Sequence, residues 1–181
     1  GRGGRIVGVQ LIFVVEAKKS SKSDWIYIKG TIDYFYEYSR TGLKLSPVYM
    51  DGKGKYKQKE KEVKSLISQY SKASKGNKSK VIYCFDCDEY DNKIEDLTFL
   101  KTVKKYCDDR GYDFIWFCKD VEQVYIGKRV DNSQKKNEST KFKKNNLITK
   151  VDVHRLSGRD YRIKTSNIMT VLDSYQELKR K

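Results

Sequence analysis

Apolar residues along this chain fall into four short runs separated by segments with helical spacing. Val7 to Val15 (Val-Gly-Val-Gln-Leu-Ile-Phe-Val-Val) is nearly continuous and ends at Glu16, as a strand buried on both faces requires. A polar stretch from residue 17 to 23 leads to Asp24, an expected N-cap, and Trp25, Ile28, Ile32 and Phe35 then recur at helical spacing, predicting a helix over 24–38. Leu43 to Met50 predicts a second strand, which Pro47 places at a sheet edge because proline has no N–H to give the ladder. Val63, Leu66, Ile67 and Tyr70 mark a helix over 57–75, and Val81 to Phe85 a third strand. Asn92 with Glu95 reads as a variant capping box, opening a helix whose apolar face runs Ile94, Leu97, Leu100, Val103 and Cys107 and stops at Gly111. Tyr112 to Cys118 is the fourth strand. Strands alternating with helices predict an α/β fold with an open, mainly parallel, four-stranded Rossmann-like sheet.

The pattern changes after residue 127. Residues 128–150 hold eight basic side chains against two acidic ones, with Asn, Ser and Thr between them. Such a run is read both as a solvated loop and as a phosphate-tracking arm, and the two readings are compatible. The chain closes with Ser166 placed to cap a final helix carrying Ile168, Val171, Leu172 and Tyr175. The division expected is an α/β domain over 1–127, with a basic extension and C-terminal helix over 128–181 packed on the same domain.

Charge sharpens this picture. The 181 residues carry 39 Lys and Arg against 24 Asp and Glu, a net charge of +15, and a field of that sign draws polyanions, so nucleic acid is the expected partner. No apolar run approaches the roughly 20 residues that span a bilayer, so no membrane partner and a cytoplasmic location are expected. Cys84 and Cys87 are spaced C-x2-C but would face opposite ways on a strand, and no second pair follows, so buried reduced thiols are expected rather than a zinc site. His154 is the single histidine, which leaves histidine triads and histidine-ligated metals without residues.

The chemistry concentrates at Asp86-Cys87-Asp88-Glu89, where the third strand ends. Carboxylates at i and i+2 leave one face of a strand, and two of them ~5 Å apart repel by about 3 kcal/mol at an effective dielectric of about 20. A solvated turn rich in Asp accounts for this pair, and so does a hard divalent cation such as Mg²⁺ or Mn²⁺. With sheet order 2-1-3-4, strands 1 and 3 are neighbours at the point where winding reverses. Glu16 then ends beside Asp86 and Asp88, 70 positions away in sequence (86 minus 16).

Val14-Val15-Glu16-Ala-Lys-Lys and Phe85-Asp86-Cys-Asp88-Glu89 resemble the Toprim domain of topoisomerases, primases and several nucleases, in which one strand ends in glutamate and a later one in Asp-x-Asp. Ala17 departs from the glycine that commonly follows that glutamate. The chain's size, Asp120 to Glu122 and Ser166-Asn167-Ile168 resemble the small RloB-like group associated with restriction and phage defence. The core likeness spans about residues 7 to 127. The resemblance implies a metal-dependent nuclease or phosphoryl-transfer protein acting on DNA or RNA, with a partner ATPase or other defence protein as a further expectation. The alternative is a nucleic-acid-binding or defence-complex component whose site has lost turnover.

By this resemblance Glu16 is general acid or base or a metal ligand, Asp86 and Asp88 hold Mg²⁺ or Mn²⁺, and Glu122 reaches a second ion or serves as a helix-cap carboxylate. Lys18, Lys19 and Lys22, in the loop after Glu16, are placed to contact a scissile phosphate. Lys135, Lys136, Lys141, Lys143 and Lys144 are the phosphate-tracking candidates of the basic segment.

Overall fold

The computed structural model describes residues 8–181. In chain order the strands are β1 (Val9–Val15), β2 (Tyr36–Glu37), β3 (Leu43–Tyr49), β4 (Lys78–Asp86), β5 (Asp113–Cys118), β6 (Thr165–Ser166) and β7 (Lys179–Arg180). The helices are α1 (Ser23–Phe35), α2 (Glu60–Ala73), α3 (Ile94–Arg110), α4 (Val121–Tyr125), α5 (Lys135–Lys144) and α6 (Ile168–Asp173), with short 3-10 turns between some of them.

β1 is buried from Gln10 onward because it has a strand on each side and a helical layer on each face. Its one polar residue is fully satisfied: the Gln10 amide donates to Ser79 Oγ at 3.0 Å and to Leu66 O at 3.3 Å, and its carbonyl accepts from Ser46 Oγ at 2.7 Å. Those bonds tie β1 to β3 and β4 and remove the cost that a lone buried amide would carry. β1 pairs in parallel with β3 and β4, and β4 in parallel with β5. Side chains alternate across the sheet. Leu11, Phe13 and Val15 join Tyr27, Ile28, Ile32, Val124, Phe142 and Met169 on one face, while Ile12, Val14, Tyr83 and Phe85 join Val63, Leu100 and Val103 on the other.

The expected four strands in the order 2-1-3-4 are corrected to five in the order β3-β1-β4-β5-β6. The two-residue β2 leaves the main sheet to pair with β7, and β6 adds an antiparallel edge on β5. Elements of two residues have no periodicity to read. The Leu43 strand, with Pro47, does lie at the edge beside β1. Asn167 prolongs the β6 edge with its side chain, accepting from Trp116 N and donating to Phe114 O, each at 2.9 Å.

Further expectations change. Asp24 does not cap α1, which starts at Ser23 and holds Asp24 in its first turn. The segment 128–150 is not a loop throughout: α5 forms in it because Ser139 and Phe142, three residues apart, reach the core together. Phe142 packs edge-on against Tyr27 (centroids 4.9 Å apart) and Tyr125 (5.8 Å). The Asn92–Glu95 capping box is absent; the Glu89 N–H is taken by Asp96 Oδ2 at 3.0 Å and the Asn92 amide by Glu89. Ile94 is 74% exposed, outside the apolar face assigned to it. Gly111 does end α3, at φ 68. Ser166 Oγ accepts from Ile168 N at 3.1 Å at the start of α6, whereas Tyr175 lies beyond that helix and is buried. Among the described residues the cysteines are free and buried, and no helix is long and apolar enough to cross a membrane.

Candidate active site

The carboxyl ends of β1 and β4 lie side by side, and the first polar residue beyond β1 turns onto its neighbour. Glu16 Oε2 accepts the backbone N–H of Asp86 at 2.5 Å. Asp86, the last residue of β4, in turn accepts the N–H of Val121 at 3.0 Å, through Oδ1, from the first turn of α4. Beyond Asp86 the chain keeps following β5: Cys87 N donates to Phe117 O and Asp88 N to Lys119 O, both at 2.8 Å. Asp88 then turns into the left-handed region, at φ 51, where its carboxylate meets the ammonium of Lys53 from the 3-10 turn Lys53–Lys55. Asp86 and Asp88 therefore have different partners, although both stand beside Glu16 closely enough for their charges to act on it or for it to act on them.

Further acids close around this pair. Asp24, in the first turn of α1, accepts the N–H of Ala17 at 3.1 Å and so pins the loop that leaves Glu16. Asp120 caps α4 by accepting from Gln123 N at 2.9 Å. Glu122 is 1% exposed, and neither carboxylate oxygen has a hydrogen-bond partner; the Lys135 ammonium lies 3.5 Å from Oε1.

So many carboxylates in one partly desolvated place cannot all ionise at ordinary pH. Burial pushes Glu16 up to about 8, reinforced by the charges of Asp24 and Asp88 and opposed by the Asp86 N–H and by Lys53. Asp86 is held well above the usual carboxylate range by burial, then by Glu16 and Asp24. Asp24 is raised by burial against the pull of Lys135, and Glu122 is raised by burial to about 7. The two lysines respond in the opposite sense. Burial lowers each, but the surrounding acids together outweigh it, Asp88 with Glu16 and Asp96 at Lys53 and Glu122 with Asp86, Asp120 and Asp24 at Lys135, and both ammoniums hold their protons more tightly than usual.

Glu16, Asp86, Asp88 and Glu122 thus belong to one acidic neighbourhood. Among the described residues, no three His, Cys, Asp or Glu side chains are arranged to hold a metal ion as they stand. The donor set nevertheless suits a hard divalent cation: the donors are carboxylate oxygens only, their mutual repulsion is incompletely offset by two lysines, and the oxygens of Glu122 lack hydrogen-bond donors. A cleft of about 310 Å³ opens beside Asp88 and Asp120, walled by Lys119, Arg129 and Lys135.

Of the basic candidates, Lys18, Lys19 and Lys22 are exposed on the loop after Glu16, where the N–H groups of Ser21 and Lys22 both turn back onto Lys18 O. Lys136, Lys141, Lys143 and Lys144 are exposed along α5. Lys135 differs from them, being half-buried and turned inward to Glu122. Sequence reasoning missed Asp24, Asp120 and Lys53 as members of the site. Asp24 and Asp120 carry the signature of helix starts, which masks a second role. Lys53 belongs to a Gly-Lys-Gly-Lys turn whose composition says only that the chain bends.

Comparison of the chain with family models, with curated proteins and with solved structures finds no match in any of the three.

Proposed function

We propose that this protein is a Toprim-type, metal-dependent phosphoryl-transfer enzyme, a nuclease acting on nucleic acid in a restriction-associated or phage-defence setting in the cytoplasm. The observation that carries the reading is the contact between the Glu16 carboxylate and the Asp86 backbone N–H across neighbouring parallel strands. It makes one acidic site out of residues 70 positions apart.

In this reading Asp86 and Asp88 hold Mg²⁺ or Mn²⁺, with Glu122 toward a second ion, and Glu16 serves as the general acid or base. The metal, when bound, supplies charge stabilisation at the phosphorus and acidifies the attacking water. Glu16, raised to about 8, exchanges a proton near neutral pH, as a group that accepts the nucleophile's proton and later returns one must. Lys53 and Lys135 offset part of the carboxylate charge. Lys18, Lys19 and Lys22 offer ammoniums to the phosphate beside Glu16, and the net charge of +15 favours a polymeric anion over a single nucleotide.

A second reading, a nucleic-acid-binding component without turnover, is favoured by the ion pair of Lys53 with Asp88, which places a protein cation on one of the ligands. Incubation of labelled DNA and RNA, single- and double-stranded, with Mg²⁺ or Mn²⁺ separates the two. Wild type is expected to cleave, and Asp86→Asn and Asp88→Asn to lose cleavage while still binding. Cleavage surviving both substitutions removes the metal-site reading; binding without cleavage by wild type selects the second.

A further inference from the structure

A groove lies between α1 and the segment that carries α5, next to the acidic site but outside it. It measures about 770 Å³. Its floor is apolar and includes Trp25, Phe142 and Ile148. Trp25 is half-buried, with its ring 5.4 Å from Phe13 beneath, while Tyr34 lines the groove and is 41% exposed. Lys22, Lys29, Lys136 and Lys143 line the same groove, against one acid, Asp33, which Lys29 Nζ and Tyr38 Oη already occupy at 2.5 and 2.7 Å. Lys22, Lys136 and Lys143 are exposed and have no ion-pair partner among the described residues.

The groove is lined by segments that adjoin those carrying the acidic site. Ser20, Ser21 and Lys22 belong to the loop that leaves Glu16, and Lys136 follows Lys135, the residue facing Glu122. Aromatic faces between unpaired ammoniums match the two parts of a strand with its bases unstacked, rings against rings and phosphates against lysines. A duplex keeps its base faces stacked inside and offers phosphates, sugars and base edges, but no ring face to stack on. We infer that the α1–α5 groove binds a single-stranded segment of nucleic acid and leads it into the acidic site. This deepens the proposed function and rests on it for the substrate, while the groove itself is tested without cleavage.

The test measures binding of short fluorescein-labelled oligo(dT), oligo(U) and a mixed-sequence duplex by anisotropy, in EDTA, with Asp86→Asn as the background. Single strands are expected to bind roughly tenfold or more tightly than the duplex and to quench tryptophan fluorescence, with the quenching lost in Trp25→Phe. Tyr34→Ala is expected to weaken single-strand binding by about 5- to 150-fold. Lys136→Ala and Lys143→Ala should each lower the slope of log affinity against log salt by about 1. Lys101→Ala, an exposed lysine on α3 on the opposite face, serves as the control and should change neither. Circular dichroism verifies that each variant folds, and Tyr34→Phe, which keeps the ring, should bind as the background does. Equal affinity for duplex, or groove variants matching the Lys101 control, overturns the inference. Single-strand binding in the groove without cleavage by wild type would overturn the catalytic reading alone; duplex cleavage indifferent to the groove variants would overturn the groove alone.

Discussion

Phe142→Ala is expected to undock α5 while leaving the sheet intact. α5 is ten residues long, Lys-Lys-Asn-Glu-Ser-Thr-Lys-Phe-Lys-Lys, and its buried residues are Ser139 and Phe142. A helix of that length and composition is not stable in water by itself, so its docking depends on the aromatic ring. Phe142 is 2% exposed and meets two aromatic rings, and truncating such a side chain costs about 3–5 kcal/mol, of which each edge-on aromatic contact accounts for about 0.5–1.5 kcal/mol. Phe142 is the one buried apolar side chain of α5, so the loss is expected locally. Amide hydrogen exchange read by mass spectrometry should accelerate by at least about a hundredfold over residues 135–144, with β1 and β4 keeping their wild-type protection. Lys141→Ala, on the outward face, should cost under about 0.5 kcal/mol and leave exchange unchanged. Uniform acceleration through β1 and β4, or undiminished protection in α5, would refute the argument that one ring holds this helix.

Other outcomes follow from the same structure. Asn167→Ala strips partners from Trp116 N and Phe114 O and should lower stability by about 1–3 kcal/mol for each group left dry; a urea midpoint within error of wild type would show that β5 does not need that edge. In EDTA, stability should fall as pH rises from 4.5 toward 8. Glu122 and Glu16 ionise at 4.5 in the unfolded chain but only at about 7 and about 8 when folded, so the folded state binds the extra protons in that window. Glu122 alone accounts for about 3 kcal/mol at 1.36 kcal/mol per tenfold change in proton affinity, and Glu122→Gln should flatten the urea-derived profile by about that amount; an unchanged slope refutes the assignment. Adding Mn²⁺ at pH 8 should raise the melting temperature of wild type and not of Asp86→Asn, and equal shifts in both would place the ion elsewhere. Binding to nucleic acid should weaken by roughly 10³ to 10⁵ between 50 and 200 mM salt if six to ten phosphates are contacted, and a flat response would dismiss the polyanion reading.

What could be read from the chain follows how strongly each element is specified. β1, β4 and β5 announced themselves because burial on both faces demands apolar runs, β3 by its spaced apolar residues with Pro47 marking an edge, and Glu16 and Asp86 stood out because each is the first acid after an apolar run. Their meeting needed only the neighbouring of β1 and β4, which the winding rule for open α/β sheets anticipates. The fifth strand was out of reach because its two residues owe their conformation to β5 and to Asn167, contacts made only after folding. α5 was hidden by its composition: six charged residues in ten conceal one buried ring. Asp24 was legible only as an expected helix cap, Asp120 caps a five-residue helix too short to show a period, and only the tertiary arrangement brought their charges to bear on Glu16 and Asp86.

The acids of the site are rooted in the sheet and the helices at its rim, but the ammoniums that neutralise them are not. Lys53 comes from a single 3-10 turn and Lys135 from the first turn of a helix anchored chiefly by Phe142. The negative charge is therefore held mostly by the sheet and its rim, and its counter-charge by a short turn and the start of a short helix. Any incoming cation competes with tethered lysines rather than with a rigid lattice of partners, and whatever shifts α5 resets the electrical balance of the pocket with β1 and β4 unmoved.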